Sequence, residues 1–336
     1  MEQNRQVKIY FADFWSSFNY SDNFIIDAIR MAGFSPVVTA DAPDYLFCSC
    51  MGRDHFKYDD CVKIFFSGEN LSADFNIYDY AITSDYLSFA DRHLRFPEFA
   101  FYLTGQQRTA IADLDCTDPA QRKFCNFVVS NGKMSSEERN RFFDMLSAYK
   151  KVDSGGRYMN NIGGPVDDKM EFIKGYKFTL AFENSKKDGY TTEKLLEPLM
   201  ARTIPIYWGN PLVAKDFNPK AFVNAGDYPT LEALLERVKQ LDADRDAYMA
   251  MLSEPIYPNG TDTDTRHMEA LSAFLKAIFS QEKSAAFRRV THGMTRQLMR
   301  DDYYLWKSES CKASSLLKKI QFFFFRHFSD AGKWQF

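Results

Sequence analysis

An acid and a base stand side by side, Glu193 and Lys194, inside the stretch "GYTTEKLLEPLMARTIPIYWGNP" (residues 189–211). Leu195, Leu196, Leu199 and Met200 recur behind them on one helical face. Thr191 and Thr192 stand ahead as candidate caps for the free amides of a first turn. The spacing therefore predicts a helix opening at Glu193. A helix N-terminus carries about half a positive charge, so a lysine there is locally unfavourable unless an anion offsets it. Free amides and an ammonium together suit a diphosphate. A solvated surface lysine fits the same spacing, and spacing alone does not decide between the two. Pro198 falls inside this helix and should kink or shorten it.

The elements that would position this pair alternate between short apolar runs and amphipathic stretches. Residues 7–11, 36–38, 45–48 and 62–66 read as strands, and 23–32 as a helix ending near Gly33. The run 62–66 stops at Ser67-Gly68-Glu69-Asn70, which puts Glu69 at a strand's carboxyl end. Residues 99–121 lack strong periodicity and suit loops and a linker. The alternation then resumes: strands at 125–129, 176–182, 203–208 and 221–223, helices at 137–149, 193–201 and 231–241. Two α/β halves with a break between residues 99 and 123 follow, and in such sheets ligands bind beyond the carboxyl ends of the strands.

With 336 residues and 45% hydrophobic content, the chain can build one large core or two medium ones. Aromatics reach 16%, most of which must be core. A net charge of −3 excludes a general nucleic-acid binder. That charge is uneven: residues 285–336 carry ten Lys/Arg against four Asp/Glu, a +6 end on a −9 body, which suits an anionic membrane surface. Six cysteines include the pair Cys48-x-Cys50 and no CxxC, so no zinc site is expected, and the thiols read as reduced, mostly buried and cytoplasmic. The N-terminal residues lack a basic segment followed by a long apolar one, so no secretory signal is expected. No uncharged apolar segment of 18 residues occurs, so no spanning helix is expected.

The longer stretch "YKFTLAFENSKKDGYTTEKLLEPLMARTIPIYWGNPLVAKDFNPKAFVNAGDY" closely resembles the donor-binding signature of the α-1,3-fucosyltransferases, glycosyltransferase family 10. Its elements are FEN at Phe182, Glu183 and Asn184, GY-x-TEK from Gly189 to Lys194, and the run 204–224. "FFSGEN" with "DFNIYDYAI", "RHLRFP", "FVVSN" and "GGRYMNNIGG" resemble the same family in the expected order. The resemblance covers roughly residues 7–251 and looks like the soluble bacterial form.

The resemblance implies a GT-B fold, in which two Rossmann-like domains face a central cleft. On the present chain these would be residues 1–121 for the acceptor and 122–265 for the donor, with a helical return at 266–284 and a basic aromatic tail at 285–336. It implies transfer of L-fucose from GDP-β-L-fucose, with inversion, to a GlcNAc hydroxyl of N-acetyllactosamine-type glycans, with α-1,3 the first linkage and α-1,4 the second. Such a displacement needs a base at the acceptor hydroxyl and a cation at the departing diphosphate, and its transition state resembles an oxocarbenium ion. Glu69 matches the family's base, while Lys194 and Arg157 are the expected diphosphate cations. Arg157 follows Gly155-Gly156, which lets backbone approach a phosphate, and its fork suits bidentate contact. Glu193 is expected on the ribose hydroxyls, Tyr190 and Asn184 along the sugar-nucleotide pocket, and Ser130 and Asn131 near phosphate.

Asp262-Thr263-Asp264 looks like the metal-holding Asp-x-Asp of other glycosyltransferases, but it lies in a polar loop beyond the nucleotide signature and reads as solvated. The five histidines show no ligand spacing, so no metal or other cofactor is expected beyond the donor itself. The tail segment "LLKKIQFFFFRHF" clusters aromatics with flanking bases and suits an interfacial helix on anionic lipid, on the inner face of a bacterial membrane. Two rival readings stand beside the transferase: a non-catalytic binder of nucleotide sugars or glycans, and a transferase with another donor.

Overall fold

A computed structural model describes residues 5–102, 121–130, 132, 136–258 and 263–290. In the first lobe β1 (Arg5–Ala12) leads to α1 (Phe24–Met31), β2 (Phe34–Val38), β3 (Tyr45–Cys48), β4 (Val62–Phe66), β5 (Tyr80–Thr83), β6 (His93–Arg95) and α2 (Glu98–Tyr102). The six strands are all parallel, in the order β2-β1-β3-β4-β5-β6. α1 forms because Asn23 caps it, accepting from the amides of Ile25 and Ile26, while Phe24, Ile25, Ile26, Ala28 and Ile29 bury one face. It stops at Gly33, whose φ of +87° ends the helical path.

The second lobe holds β7 (Lys123–Phe127), α3 (Glu137–Tyr149), β8 (Val152–Ser154), α4 (Lys169–Lys174), β9 (Tyr176–Phe182), α5 (Glu193–Met200), β10 (Ile204–Trp208), β11 (Val223–Asn224), α6 (Leu231–Ala243) and α7 (Arg245–Leu252). Its strands are parallel too, in the order β11-β10-β9-β7-β8. All seven residues of β9 are buried, as expected for a central strand covered on both faces. The chain then returns: α8 (Thr263–Phe279) packs on α1 and α2, and α9 (Lys283–Ala286) follows. Phe279 stands edge-on to Phe34 at 5.5 Å and against Tyr45 at 4.4 Å, so this return is anchored in the first lobe's sheet.

The two halves and most of the predicted elements are where the pattern put them, including β3, β4, α3 and β9 residue for residue. Three strands escaped it. β5 and β6 extend the first sheet and β8 edges the second, and with three or four residues each they carry no readable alternation. The aperiodic region begins with the short helix α2, and residues 103–120 lie outside the described residues. Residues 287–290, expected to start a tail, instead dock on the first lobe. Arg289 donates to the Cys61 carbonyl at 2.8 Å and pairs with buried Asp79, and the Arg288 amide donates to Asp79 at 2.6 Å. Residues 291–336, including the aromatic cluster, lie outside the described residues, as do Cys116, Cys311 and Asn131. Among the described residues Cys48, Cys50, Cys61 and Cys125 are free thiols, and no helix is long and apolar enough to cross a membrane.

The lobes share a core. Leu195, Leu196 and Leu199 of α5 belong to the same buried cluster as Phe96, Phe99, Leu271 and Leu275. Burying each such side chain stabilises by about 1.5–3 kcal/mol, so α5 is fixed to both lobes. Arg95 spans the lobes as well, donating both Nη atoms to Asp216 at 2.9 and 2.7 Å while its guanidinium lies 4.0 Å from the Tyr86 ring centroid.

Candidate active site

Beyond the carboxyl ends of the strands, the two lobes wall a cleft of about 460 Å³. The first lobe contributes Trp15 after β1, Cys50 after β3, Glu69 after β4, and Glu98 and Phe101 from α2. The second contributes Asn184 after β9, Tyr190 and Thr192 from the following loop, and Glu193 and Lys194 at the head of α5. Five residues predicted from two segments more than a hundred positions apart, Glu69 in one and Asn184, Tyr190, Glu193 and Lys194 in the other, thus line one cleft.

The loop from β9 to α5 is built around Gly189. Its φ is +88°, and a Cβ there would lie 2.1 Å from the Ser84 carbonyl oxygen of the first lobe. Only glycine permits both that dihedral and that approach. The Gly189 amide donates to Asn210 Oδ1 at 2.8 Å, and the Asn210 side-chain amide donates to Thr191 Oγ1 at 3.0 Å. Thr192 then caps α5 by accepting from the Lys194 amide at 3.3 Å. Pro198 is accommodated in the last turn, and the helix ends three residues short of β10's first residue.

What offsets the lysine at the helix head is a buried carboxylate. Lys194 Nζ lies 3.4 Å from Glu183 Oε2 and 3.5 Å from Glu193 Oε1, and donates to Thr192 Oγ1 at 3.1 Å. Glu183 is itself wholly buried, accepting from the Thr192 amide at 2.8 Å and from its hydroxyl. Burial opposes the charge of Lys194, yet Glu183 and then Glu193 outweigh it and hold the ammonium's pKa above its ordinary value. Burial pushes the Glu183 carboxyl up, partly countered by Lys194. For Glu193 burial is outweighed by Lys194 and Lys169, so its carboxyl stays below the ordinary range. Burial, then Glu183, raise the Tyr190 phenol, which therefore stays protonated and can donate.

Two further groups were not visible in the pattern. Glu98 Oε2 accepts from the Glu193 amide at 2.7 Å, reaching across from the first lobe. Arg139, fully buried on α3, donates from Nη2 to Asn184 Oδ1 at 2.7 Å and to the Glu183 carbonyl at 2.9 Å, so it aims Asn184 into the cleft. Glu183 stood inside the FEN signature, but nothing in sequence marks a glutamate as a lysine's buried partner. Glu98 stood in the aperiodic segment "FPEFAFY".

Glu69 is exposed in the cleft; its amide donates to Ser67 Oγ at 3.1 Å and its carbonyl accepts from the Leu71 amide at 2.7 Å, which fixes its backbone. Arg157 and Ser130 do not line the cleft. Both are exposed, Arg157 after β8 and Ser130 after β7, further along the carboxyl edge of the second sheet. Their loops touch: the Tyr158 amide donates to the Val129 carbonyl at 3.0 Å, and a Cβ on Gly156 would lie 2.0 Å from that oxygen. His93 is satisfied by Thr83 Oγ1 and the Leu87 carbonyl, both at 2.9 Å, and takes no part in the cleft. Among the described residues no group of three or more His, Cys, Asp or Glu could hold a metal ion; Asp262 lies outside them.

Two family models match the chain. Residues 9–102 match the alpha-(1,3)-fucosyltransferase FucT N-terminal domain, and residues 119–253 match the glycosyltransferase family 10 (fucosyltransferase) C-terminal domain. An alpha-(1,3)-fucosyltransferase of Helicobacter pylori is 37% identical over 245 residues, covering 63% of this chain and 51% of that protein. A human 4-galactosyl-N-acetylglucosaminide 3-alpha-L-fucosyltransferase is 30% identical over 176 residues, covering 51% of this chain and 44% of its own length. The chain thus spans about half the length of these curated relatives. A crystal structure of an alpha1,3-fucosyltransferase with GDP-fucose superposes with a TM-score of 0.71 at 29% identity, covering 84% of this chain and 93% of that one. The two facing parallel sheets are accordingly of the GT-B type.

Proposed function

The chain belongs to glycosyltransferase family 10, and on that premise we propose that it is an inverting α-1,3-fucosyltransferase that moves L-fucose from GDP-β-L-fucose to a GlcNAc hydroxyl of N-acetyllactosamine-type glycans. The observation that carries the proposal is the single cleft in which a first-lobe carboxylate, Glu69, faces a second-lobe ammonium, Lys194. One displacement needs both at once, on opposite sides of the reacting carbon.

Glu69 takes the proton of the attacking hydroxyl. An exposed carboxylate on a fixed backbone suits that role because the acceptor must reach it from solvent. Lys194 holds the departing diphosphate. Its charge is kept by Glu183 and Glu193, so it stays cationic as the bond breaks. Glu193 accepts from the ribose hydroxyls, Tyr190 donates to the donor, and Asn184 is held in place by Arg139. A nucleotide running from Lys194 along the carboxyl edge of the second sheet meets the loops that carry Ser130 and Arg157.

Purified protein incubated with a panel of nucleotide sugars and a lactosamine acceptor tests this reading. Fucosylated product from GDP-fucose alone is the expected result. Turnover with a different donor, or nucleotide binding without turnover, would contradict it.

A further inference from the structure

Glu98 is the first residue of α2, and its carboxylate sits on the amide of Glu193, the first residue of α5. That amide has no partner within its own helix and lies at the positive end of the helix dipole. It is also one of the donors a diphosphate at Lys194 would use. The cleft therefore already holds a carboxyl group, supplied by the opposite lobe, at the place the donor's charge should go.

The groups facing Glu98 make this costly. Glu193 and Lys194 come from α5, Glu183 from the end of β9, Tyr190 from the intervening loop, and Glu69 from beyond β4, while Lys169 of α4 stands behind Glu193 at 3.9 Å. Three carboxyls, Glu98, Glu183 and Glu193, thus gather at one ammonium with Glu69 in the same cleft, and a diphosphate that joins them meets their combined negative charge. Two of the three have a cationic partner: Glu183 accepts from Thr192 and faces Lys194, and Glu193 lies between Lys194 and Lys169. Glu98 forms no ion pair among the described residues, and its carboxylate accepts from one backbone amide, that of Glu193. Burial, and then the negative charge of Glu193, hold the Glu98 carboxyl well above the ordinary carboxylate range.

We propose that Glu98 is a further donor-binding residue, one that takes up a proton from solvent and meets the donor's diphosphate as a neutral carboxylic acid. Oε2 continues to accept from the Glu193 amide, and the new O–H on Oε1 donates to a phosphate oxygen. The inference rests on reading the cleft as a sugar-nucleotide site. Its sign follows from the linkage: the donor binds the protonated form, so affinity is full below the raised Glu98 pKa and falls as pH rises through it, by about tenfold per pH unit for one proton.

Calorimetric titration of the full chain with GDP and, separately, with inorganic pyrophosphate, between about pH 6 and 9 and in two buffers of different ionisation enthalpy, tests this. The wild-type protein should gain about one proton on binding at the alkaline end and lose affinity there. Glu98→Gln, a neutral isostere, should keep the acidic-end affinity across the whole range and gain no proton. Glu98→Leu, which lacks the donor, should bind about tenfold more weakly and without the wild-type pH slope, with thermal unfolding as the check on folding. A shared pH profile for wild type and Glu98→Gln, or a flat wild-type profile, would overturn the inference. Pyrophosphate that shows the Glu98-dependent linkage while GDP fails to bind would instead sink the donor reading and leave Glu98's role standing.

Discussion

Lys194 looked misplaced because a helix head repels a cation, and its explanation is a glutamate eleven positions earlier at the end of β9. Removing that lysine leaves Glu183 buried and uncompensated, at a cost of about 3–5 kcal/mol, so its loss would mix stability with binding. Glu69 offers a cleaner test. It is exposed and its side chain makes no ion pair among the described residues, so Glu69→Gln should unfold like the wild type. The rate of transfer should fall by about 10²–10⁴, with GDP affinity within about twofold. Steady-state kinetics beside GDP calorimetry reads both, and a kcat close to the wild-type value would remove Glu69 as the base. At this scale the sequence displayed five groups that line the cleft but not the groups that hold them. Glu193 and Lys194 stood out as a charged pair at a helix head, and Glu69, Asn184 and Tyr190 stood out through the family signature. Glu98 and Arg139 did not, because each acts on a residue more than forty positions away.

The loop between β9 and α5 is the element on which the site depends, and Gly189 is its tightest point. An alanine there would hold φ near +88° against its preference and press its Cβ against the Ser84 carbonyl. Gly189→Ala should cost about 1–3 kcal/mol, lower Tm by about 1–4 °C, and weaken GDP binding through displaced Tyr190 and Lys194. Differential scanning calorimetry with and without GDP measures this, and an unchanged Tm would show that the loop can relax away from the first lobe. The same loop shows how elements become legible. β9 and α5 announce themselves with a seven-residue run that holds five apolar residues and with a capped apolar stripe. β5, β6 and β8 do not, since a three- or four-residue parallel strand is specified by the neighbour it pairs with, as Ala81 is by Phe65 on one side and His93 on the other.

At the scale of the whole molecule the lobes are clasped on several sides of the cleft. Arg95 bonds to Asp216, Lys187 pairs with Asp85 at 2.6 Å, Asn70 donates to Ser185, and Glu98 reaches the head of α5. α8 completes the clasp by carrying the chain back from the second lobe onto the first. The two-lobe division was readable in the repeated alternation of strand and helix. The clasp was not, because each contact joins residues whose separation no periodicity reports. On the proposed function, this enclosure holds a sugar-linked diphosphate between Lys194 and Glu69. A crystal structure of the protein with GDP tests it most directly. A diphosphate oxygen about 3 Å from Lys194 Nζ, with the β-phosphate turned toward Glu69, is the predicted result. GDP bound outside the cleft, or with its diphosphate away from Lys194, would contradict it.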